Sequence, residues 1–162
     1  MLPRRNGCLL GQGDFSKAKN AALRLLKFRV RSEKEIRDKL KEKGYGIATT
    51  NEVVCFLSKV GLIDDALFAR LWVESRLKRP FGLRRLKFEL KAKGIEKNIS
   101  ENVLQKARES TDEKAVVQSL IRNRLNRMRK IPVQKARARL FGYLIRRGFS
   151  PERVIEVLGE EL

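Results

Sequence analysis

Leu40-Lys41-Glu42-Lys43-Gly44-Tyr45, Leu90-Lys91-Ala92-Lys93-Gly94-Ile95 and Leu144-Ile145-Arg146-Arg147-Gly148-Phe149 share one pattern. Each holds a leucine, a basic residue just before a glycine, and an apolar residue directly after it. Each also has an apolar residue four positions before the leucine: Ile36, Leu86 and Leu140. A glycine past the end of a helix accepts the left-handed conformation that turns the chain, and a basic residue beside it meets the negative end of the helix dipole. The apolar residue that follows then folds back on the leucine. One such cap is ordinary punctuation, but three of them, at Gly44, Gly94 and Gly148, mark a repeated unit.

Around each cap lie two further amphipathic stretches. Ala22 to Val30, Ala66 to Leu77 and Val116 to Met128 come before; Val53-Val54-Leu57, Val103-Leu104 and Val157-Leu158 come after. The unit is therefore three helices, and the fold class is all-α, with about nine helices in tandem three-helix repeats. The expected division is a mobile arm over residues 1–15 and repeats over 16–61, 62–109 and 110–162. A unit this short is marginal alone, so neighbours share core, and stacking in a line predicts an elongated, curved body. Ser32 with Glu35, Thr49 with Glu52 and Ser110 with Glu113 have the spacing of capping boxes, Ser150-Pro151-Glu152 reads as a helix start, and Pro132 can open another.

Composition narrows the function. The chain has 38 Lys and Arg against 19 Asp and Glu, a formal net charge of +19 over 162 residues. That excess repels itself unless a polyanion meets it. No run of 18 apolar residues exists, which argues against insertion in a membrane. Met1-Leu2-Pro3-Arg4-Arg5-Asn6 lacks the apolar core of a secretory signal, so a cytoplasmic location is expected. Two cysteines, Cys8 and Cys55, make no disulfide framework, and Cys55 reads as a small buried residue. Histidine is absent, which removes the commonest general base and the commonest transition-metal ligand. No acid, base and nucleophile converge, so no enzyme, metal or cofactor is expected. Asp64-Asp65 reads as a helix start, and the lone Gly11-Gln12-Gly13 lacks the context of a phosphate loop.

The candidate site rests on charge. Between Glu113 and Glu152 there is no acid, yet the stretch holds Lys114, Arg122, Arg124, Arg127, Arg129, Lys130, Lys135, Arg137, Arg139, Arg146 and Arg147. Surface helices usually mix signs at i,i+4 spacing, and these cannot do so locally. Arginine dominates, which suits bidentate contacts to phosphate or carboxylate. A second group, Arg76, Lys78, Arg79, Arg84, Arg85, Lys87, Lys91 and Lys93, brackets Pro80-Phe81-Gly82. Phe81 reads as a staple under a turn, or else as a base-stacking ring; Trp72, near Phe68, reads as core. The binding candidates are Arg84, Arg85, Lys87, Lys91, Arg122, Arg124, Arg127, Arg137, Arg139, Arg146 and Arg147. Charge alone does not separate DNA, RNA and an acidic protein surface.

Three stretches resemble the RecX family: Ala21-Ala22-Leu23-Arg24-Leu25-Leu26 through Arg31-Ser32-Glu33 to Lys43-Gly44; Gly61-Leu62-Ile63-Asp64-Asp65-Ala66-Leu67-Phe68-Ala69; and Gly82-Leu83-Arg84-Arg85-Leu86 to Glu89-Leu90 and Lys93-Gly94-Ile95. Lys135 to Phe149 follows the family's last unit more loosely, and the likeness runs from about Ala18 to Leu158. The resemblance implies three tandem three-helix units in a curved molecule. It also implies a non-catalytic regulator that binds the helical groove of RecA filaments. There it limits their ATPase, strand-exchange and co-protease activities, and so damps recombination and the SOS response. The expected partners are a RecA-type recombinase filament and single- and double-stranded DNA, with the chain a monomer. The competing reading is a DNA-binding protein of helix-turn-helix type acting without a recombinase; a ribosome-associated or scaffold protein is a third.

Overall fold

Gly44, Gly94 and Gly148 have φ of 85°, 79° and 87°, so all three repeated glycines sit in the left-handed region. At the first, the Gly44 N–H donates to the Lys41 carbonyl at 2.9 Å and the Tyr45 N–H reaches back to Leu40 at 3.1 Å. At the third, Gly148 donates to Ile145 and Phe149 to Leu144, at 2.9 and 3.3 Å. These are Schellman caps, and Phe149 is 1% exposed against the leucine that precedes it. The same closure, which the repeat pattern did not flag, ends the helix before Gly61, where Leu62 donates to Leu57 at 2.9 Å.

The computed structural model describes residues 11–128 and 131–162. Among them are nine helices and no strand: α1 (Gly11–Phe28), α2 (Glu33–Glu42), α3 (Ile47–Lys59), α4 (Asp65–Leu77), α5 (Leu83–Ala92), α6 (Lys97–Ser110), α7 (Glu113–Leu125), α8 (Val133–Arg146) and α9 (Pro151–Glu161). Helix α1 starts five residues before Ser16, so the expected arm is shortened: Phe15 packs on the buried residues of α1 to α3, its ring edge-on to Phe56 at 6.2 Å. The rest of that arm, residues 1–10, lies outside the described residues.

Four starts are where the sequence puts them: Pro132 directly precedes α8, and Asp64 accepts the Ala66 and Leu67 N–H groups at the start of α4, both at 2.9 Å. Ser32 accepts the Glu35 N–H and Ser150 accepts the Arg153 N–H, at 3.2 and 3.3 Å. Two are not. Helix α3 begins at Ile47 behind Gly46, leaving Thr49 and Glu52 inside it. Helix α6 runs through Ser110, and α7 is capped by Asp112, which accepts the Ala115 N–H at 3.0 Å. In both cases another residue nearby ends or begins the helix first, and spacing alone cannot rank the competitors.

The chain packs as two units. The first holds the residues up to Phe68 together with Lys93–Ile95; the second holds Ala69–Ala92 and Glu96–Leu162. In the first, α1, α2 and α3 pack pairwise around Ala18, Ala22, Ile36, Leu40, Val53 and Leu57, all fully buried. The Ser32 hydroxyl donates to the Lys93 carbonyl at 2.8 Å. Lys93 and Arg29 pair with Glu35 at 2.6 and 2.9 Å. Burial by itself would raise the Glu35 pKa, but hydrogen bonds from Arg29 and Lys93 and their positive charge override it and lower it to about 2. Cys55 is exposed on α3, contrary to its sequence reading. Val53, Val54 and Leu57 supply the buried face, and Cys55 falls on the other side of the turn.

In the second unit α5 packs on α6, while α7, α8 and α9 pack around Val117, Ile121, Leu140, Leu144, Phe149, Val154, Val157 and Leu158. The start of α5 has no side-chain acceptor of its own. Instead the Gly82 N–H donates to the Arg147 carbonyl at 2.9 Å and the Arg84 N–H to the Gly148 carbonyl at 3.1 Å. Glu113 accepts the Leu83 N–H. Its carboxyl is pushed up by burial and pulled back by Arg153, Arg108 and that N–H. The N–H groups left over at one helix start are thus met by the carbonyls left over at another helix end. A Cβ on Gly82 would collide with the Gly148 and Phe149 backbone.

Two outcomes follow. Gly82→Ala lowers stability by about 1–3 kcal/mol through that collision, while Gly159→Ala, whose Cβ meets nothing within 4 Å in α9, is neutral or raises stability by up to ~1 kcal/mol; thermal unfolding of both variants checks the contrast. Because the folded pKa of Glu35 lies below its ordinary 4.5, its stabilisation is complete above that value and is lost as pH falls toward 2. Glu35→Gln costs about 2 kcal/mol at pH 7 after allowing for partial solvent screening, and the gap to the parent closes on acidification. Urea titrations from neutral to acid pH measure it; a gap independent of pH would refute the assignment.

Candidate nucleic-acid interface

All eleven candidate cations fall in the second unit. Helix α5 carries Arg84, Arg85, Lys87 and Lys91; α7 carries Arg122 and Arg124 with Arg127 just beyond; α8 carries Arg137, Arg139 and Arg146, with Arg147 as its C-cap. They have three different fates.

Some are neutralised. Arg122 holds Glu161 of α9 through hydrogen bonds of 2.8 and 3.0 Å, which keep that carboxyl below its ordinary pKa. Lys114 of the same run pairs with Glu160 and Glu156 at 2.6 and 3.3 Å. The acid-free stretch is therefore not wholly uncompensated. Its counterions come from α9, beyond the reach of any i,i+4 reading.

Others are seated on rings. The Arg124 guanidinium carbon lies 3.5 Å from the Tyr143 ring centre, and Arg147 lies 4.8 Å from the same ring and 5.6 Å from Phe81. Arg85 covers Phe81 at 4.2 Å and pairs with Glu89 at 2.9 Å. Glu89 also takes Arg76 at 2.9 Å and the Trp72 indole N–H at 3.0 Å, and Arg76 lies 4.5 Å over the Trp72 ring. A chain of stacked guanidinium and aromatic groups, joined between α5 and α4 by the Glu89 carboxylate, thus links α7, α8, the turn before α5, α5 and α4. Phe81 is half-buried with Arg85 and Arg147 against its ring, an arrangement that favours the staple over a base-stacking ring. Trp72 is half-buried, with its polar edge on Glu89, rather than deep core. Arg147 also donates to the Pro80 carbonyl at 3.0 Å. These arginines hold the structure.

The third group is open. Arg84, Lys91, Arg127, Arg137, Arg139 and Arg146 are exposed, with no side-chain ion pair or hydrogen bond among the described residues. Three of them gather on two adjoining grooves. One, of about 500 Å³, is lined by Arg84, Arg85, Phe88, Ile145 and Arg146. The next, of about 600 Å³, is lined by Arg84, Lys87, Phe88, Lys91 and Arg108. Lys87 has only a 3.9 Å contact with Glu101. The sequence reading missed Phe88 and Arg108. Phe88 was findable: Leu86 and Leu90 fix the buried face of α5, which places the residue between them outward.

Family models for the RecX first, second and third three-helix domains match residues 18–57, 64–104 and 112–158. Proteins named "Regulatory protein RecX" are similar across most of their length. That of Amycolatopsis mediterranei is 33% identical over 91% of this chain and 85% of its own. That of Mycolicibacterium smegmatis is 35% identical over 90% of this chain and 79% of its own. The crystal structure of RecX from Lactobacillus salivarius superposes with a TM-score of 0.79 at 27% identity, covering 91% of this chain and 96% of that one.

The division among the cations predicts a contrast in stability. Arg147→Ala removes the Pro80 hydrogen bond and two ring contacts and costs about 1–2 kcal/mol, whereas Arg146→Ala stays within about 0.5 kcal/mol of the parent. Equal melting temperatures for the two variants would contradict it.

Proposed function

This chain belongs to the RecX family, and from that premise we propose that it binds filaments of a RecA-type recombinase on DNA and restrains them. It acts in the cytoplasm as a monomer, limits the filament's ATPase, strand-exchange and co-protease activities, and thereby damps recombination and the SOS response. It does so by occupancy rather than by catalysis. The observation that carries this reading is the open cation group on α5 and α8: Arg84, Lys91 and Arg146 are exposed on adjoining grooves and, among the described residues, form no ion pair, while the carboxylates that line those grooves, Glu89 and Glu101, face other cations.

The physical basis is attraction between that face and the filament's phosphates and acidic surfaces. Desolvating these unpaired cations is repaid by anionic groups on the partner, and the release of counterions from the nucleic acid adds to the drive. Lying against neighbouring recombinase subunits, the chain blocks filament growth or the movement that accompanies ATP turnover. Arg137, Arg139 and Arg127 extend the positive field, while Arg122, already held by Glu161, adds little.

The test is a single-strand-dependent recombinase ATPase assay with the protein titrated at substoichiometric amounts. The parent inhibits, and inhibition weakens steeply as salt rises. The double variant Arg84→Glu, Arg146→Glu needs about ten times more protein or beyond for half-inhibition, whereas Arg122→Glu shifts it far less. Unchanged potency in the double variant would remove this face from the mechanism. Tight, sequence-selective binding to bare duplex at physiological salt, without an effect on the recombinase, would favour the direct DNA-binding reading instead.

A further inference from the structure

Phe88 is 71% exposed on α5, yet it stands among the exposed cations Arg84, Lys87 and Lys91 of the same helix. It lines both grooves, with Arg84 and Arg146 on one side and Lys87, Lys91 and Arg108 on the other. The other aromatic rings of this unit on or near that face are already covered. Phe81 carries Arg85 and Arg147, Tyr143 carries Arg124 and Arg147, and Trp72 carries Arg76. Phe88 has no aromatic or cation–π partner among the described residues. A phenyl ring left in water among cations gains free energy when an apolar face, such as that of a base, covers it.

We propose that α5 is a single-strand-selective nucleic-acid site in which Phe88 stacks on an unpaired base while Arg84, Lys91 and Arg146 take the flanking phosphates. The inference deepens the reading above by naming what the open face holds, and it rests on that reading only for its biological setting. Three features favour this occupant over an acidic protein surface or a duplex. The cations flank the ring rather than form an unbroken patch, so phosphates and a base are accommodated together. Arg84 and Lys91 lie about 10 Å apart along the helix axis, with the ring between them, which fits a backbone passing over the ring rather than a single carboxylate. A duplex keeps its bases stacked inward and offers no free face, so only a single strand makes use of the ring. Two acids lie near. Glu89 is held by Arg76, Arg85 and Trp72, and Glu101 stands 3.9 Å from Lys87 and 3.8 Å from Lys97, so neither leaves an uncompensated negative charge beside Phe88.

The experiment uses the full chain without recombinase and follows fluorescence anisotropy of three labelled probes of one length: oligo-dT, an abasic single strand and a duplex. Phe88→Ala weakens oligo-dT binding about five- to twenty-fold and leaves the abasic strand and the duplex unchanged. Its log affinity against log salt keeps the parental slope. Phe88→Trp restores binding, and its added indole fluorescence is quenched by oligo-dT. Arg84→Glu with Lys91→Glu weakens all three probes and flattens the salt slope. Ile155→Ala, another exposed apolar residue on α9, changes nothing. Oligo-dT affinity unaffected by Phe88→Ala overturns the proposal, as does an equal loss for strand and duplex. So does a Phe88→Ala variant that binds DNA normally but no longer inhibits the recombinase, since the ring then meets protein. Because no recombinase is present in the binding assay, the stacking site and the filament reading fail separately.

Discussion

The second unit depends on two helix ends that complete each other. Helix α5 begins with N–H groups that no local side chain accepts, and α8 ends with carbonyls that no further turn can use. Gly82 and Arg84 donate across to Arg147 and Gly148, and Glu113 takes the N–H between them. The positive end of one helix dipole meets the negative end of another, which adds to the attraction. The backbones come this close because neither Gly82 nor Gly148 has a Cβ; at Gly148 such an atom would strike Arg85. The glycine therefore serves twice, once to end its own helix at positive φ and once to admit the start of another. Residues of the second and third repeats accordingly share one packed unit, although the sequence pattern separates them.

From this contact follows the sorting of the cations. With α5 fixed against the end of α8, Arg85 and Arg147 reach the same Phe81 ring, and Arg124 reaches Tyr143 beside it. Arginine suits this work because its planar group stacks and hydrogen-bonds at once, as Arg147 does between two rings and the Pro80 carbonyl. Lysine in the same unit is used differently: Lys114 reaches for carboxylates, and Lys91 stands free in solvent. The open cations that gather on the two grooves, Arg84, Lys91 and Arg146, are drawn from two sequence segments over fifty residues apart.

The fold is largely legible in the sequence. The Leu-x-x-Lys/Arg-Gly-apolar caps depend on a few adjacent residues whose physics is local, and Ser32 and Ser150 signal their helices for the same reason. Where signals competed, as between Ser110 and Asp112, spacing did not decide. The first turns of α1 are masked in the sequence because Phe15 continues the apolar stripe of Ala18 and Ala22 but stands near Gly11 and Gly13, which favour a loop. The site was legible in outline only. The residue types and the basic stretch were visible, but Glu160 and Glu161 of α9 and the rings under Arg124 and Arg147 are tertiary neighbours, and no local pattern announces them. Phe88 is the reverse case: its outward position was implied by Leu86 and Leu90, yet a single phenylalanine among lysines draws little notice until the rings around it are found occupied.

The chain from Arg124 to Trp72 has an evolutionary corollary. Which arginines face outward is decided by uncharged neighbours, so a ring lost at position 81 or 143 would release guanidinium groups that are now committed, and a ring gained elsewhere would withdraw others. Formal net charge is then a poor guide to the field a partner feels. Lineages can retune that field by aromatic substitutions while every lysine, arginine, aspartate and glutamate stays in place.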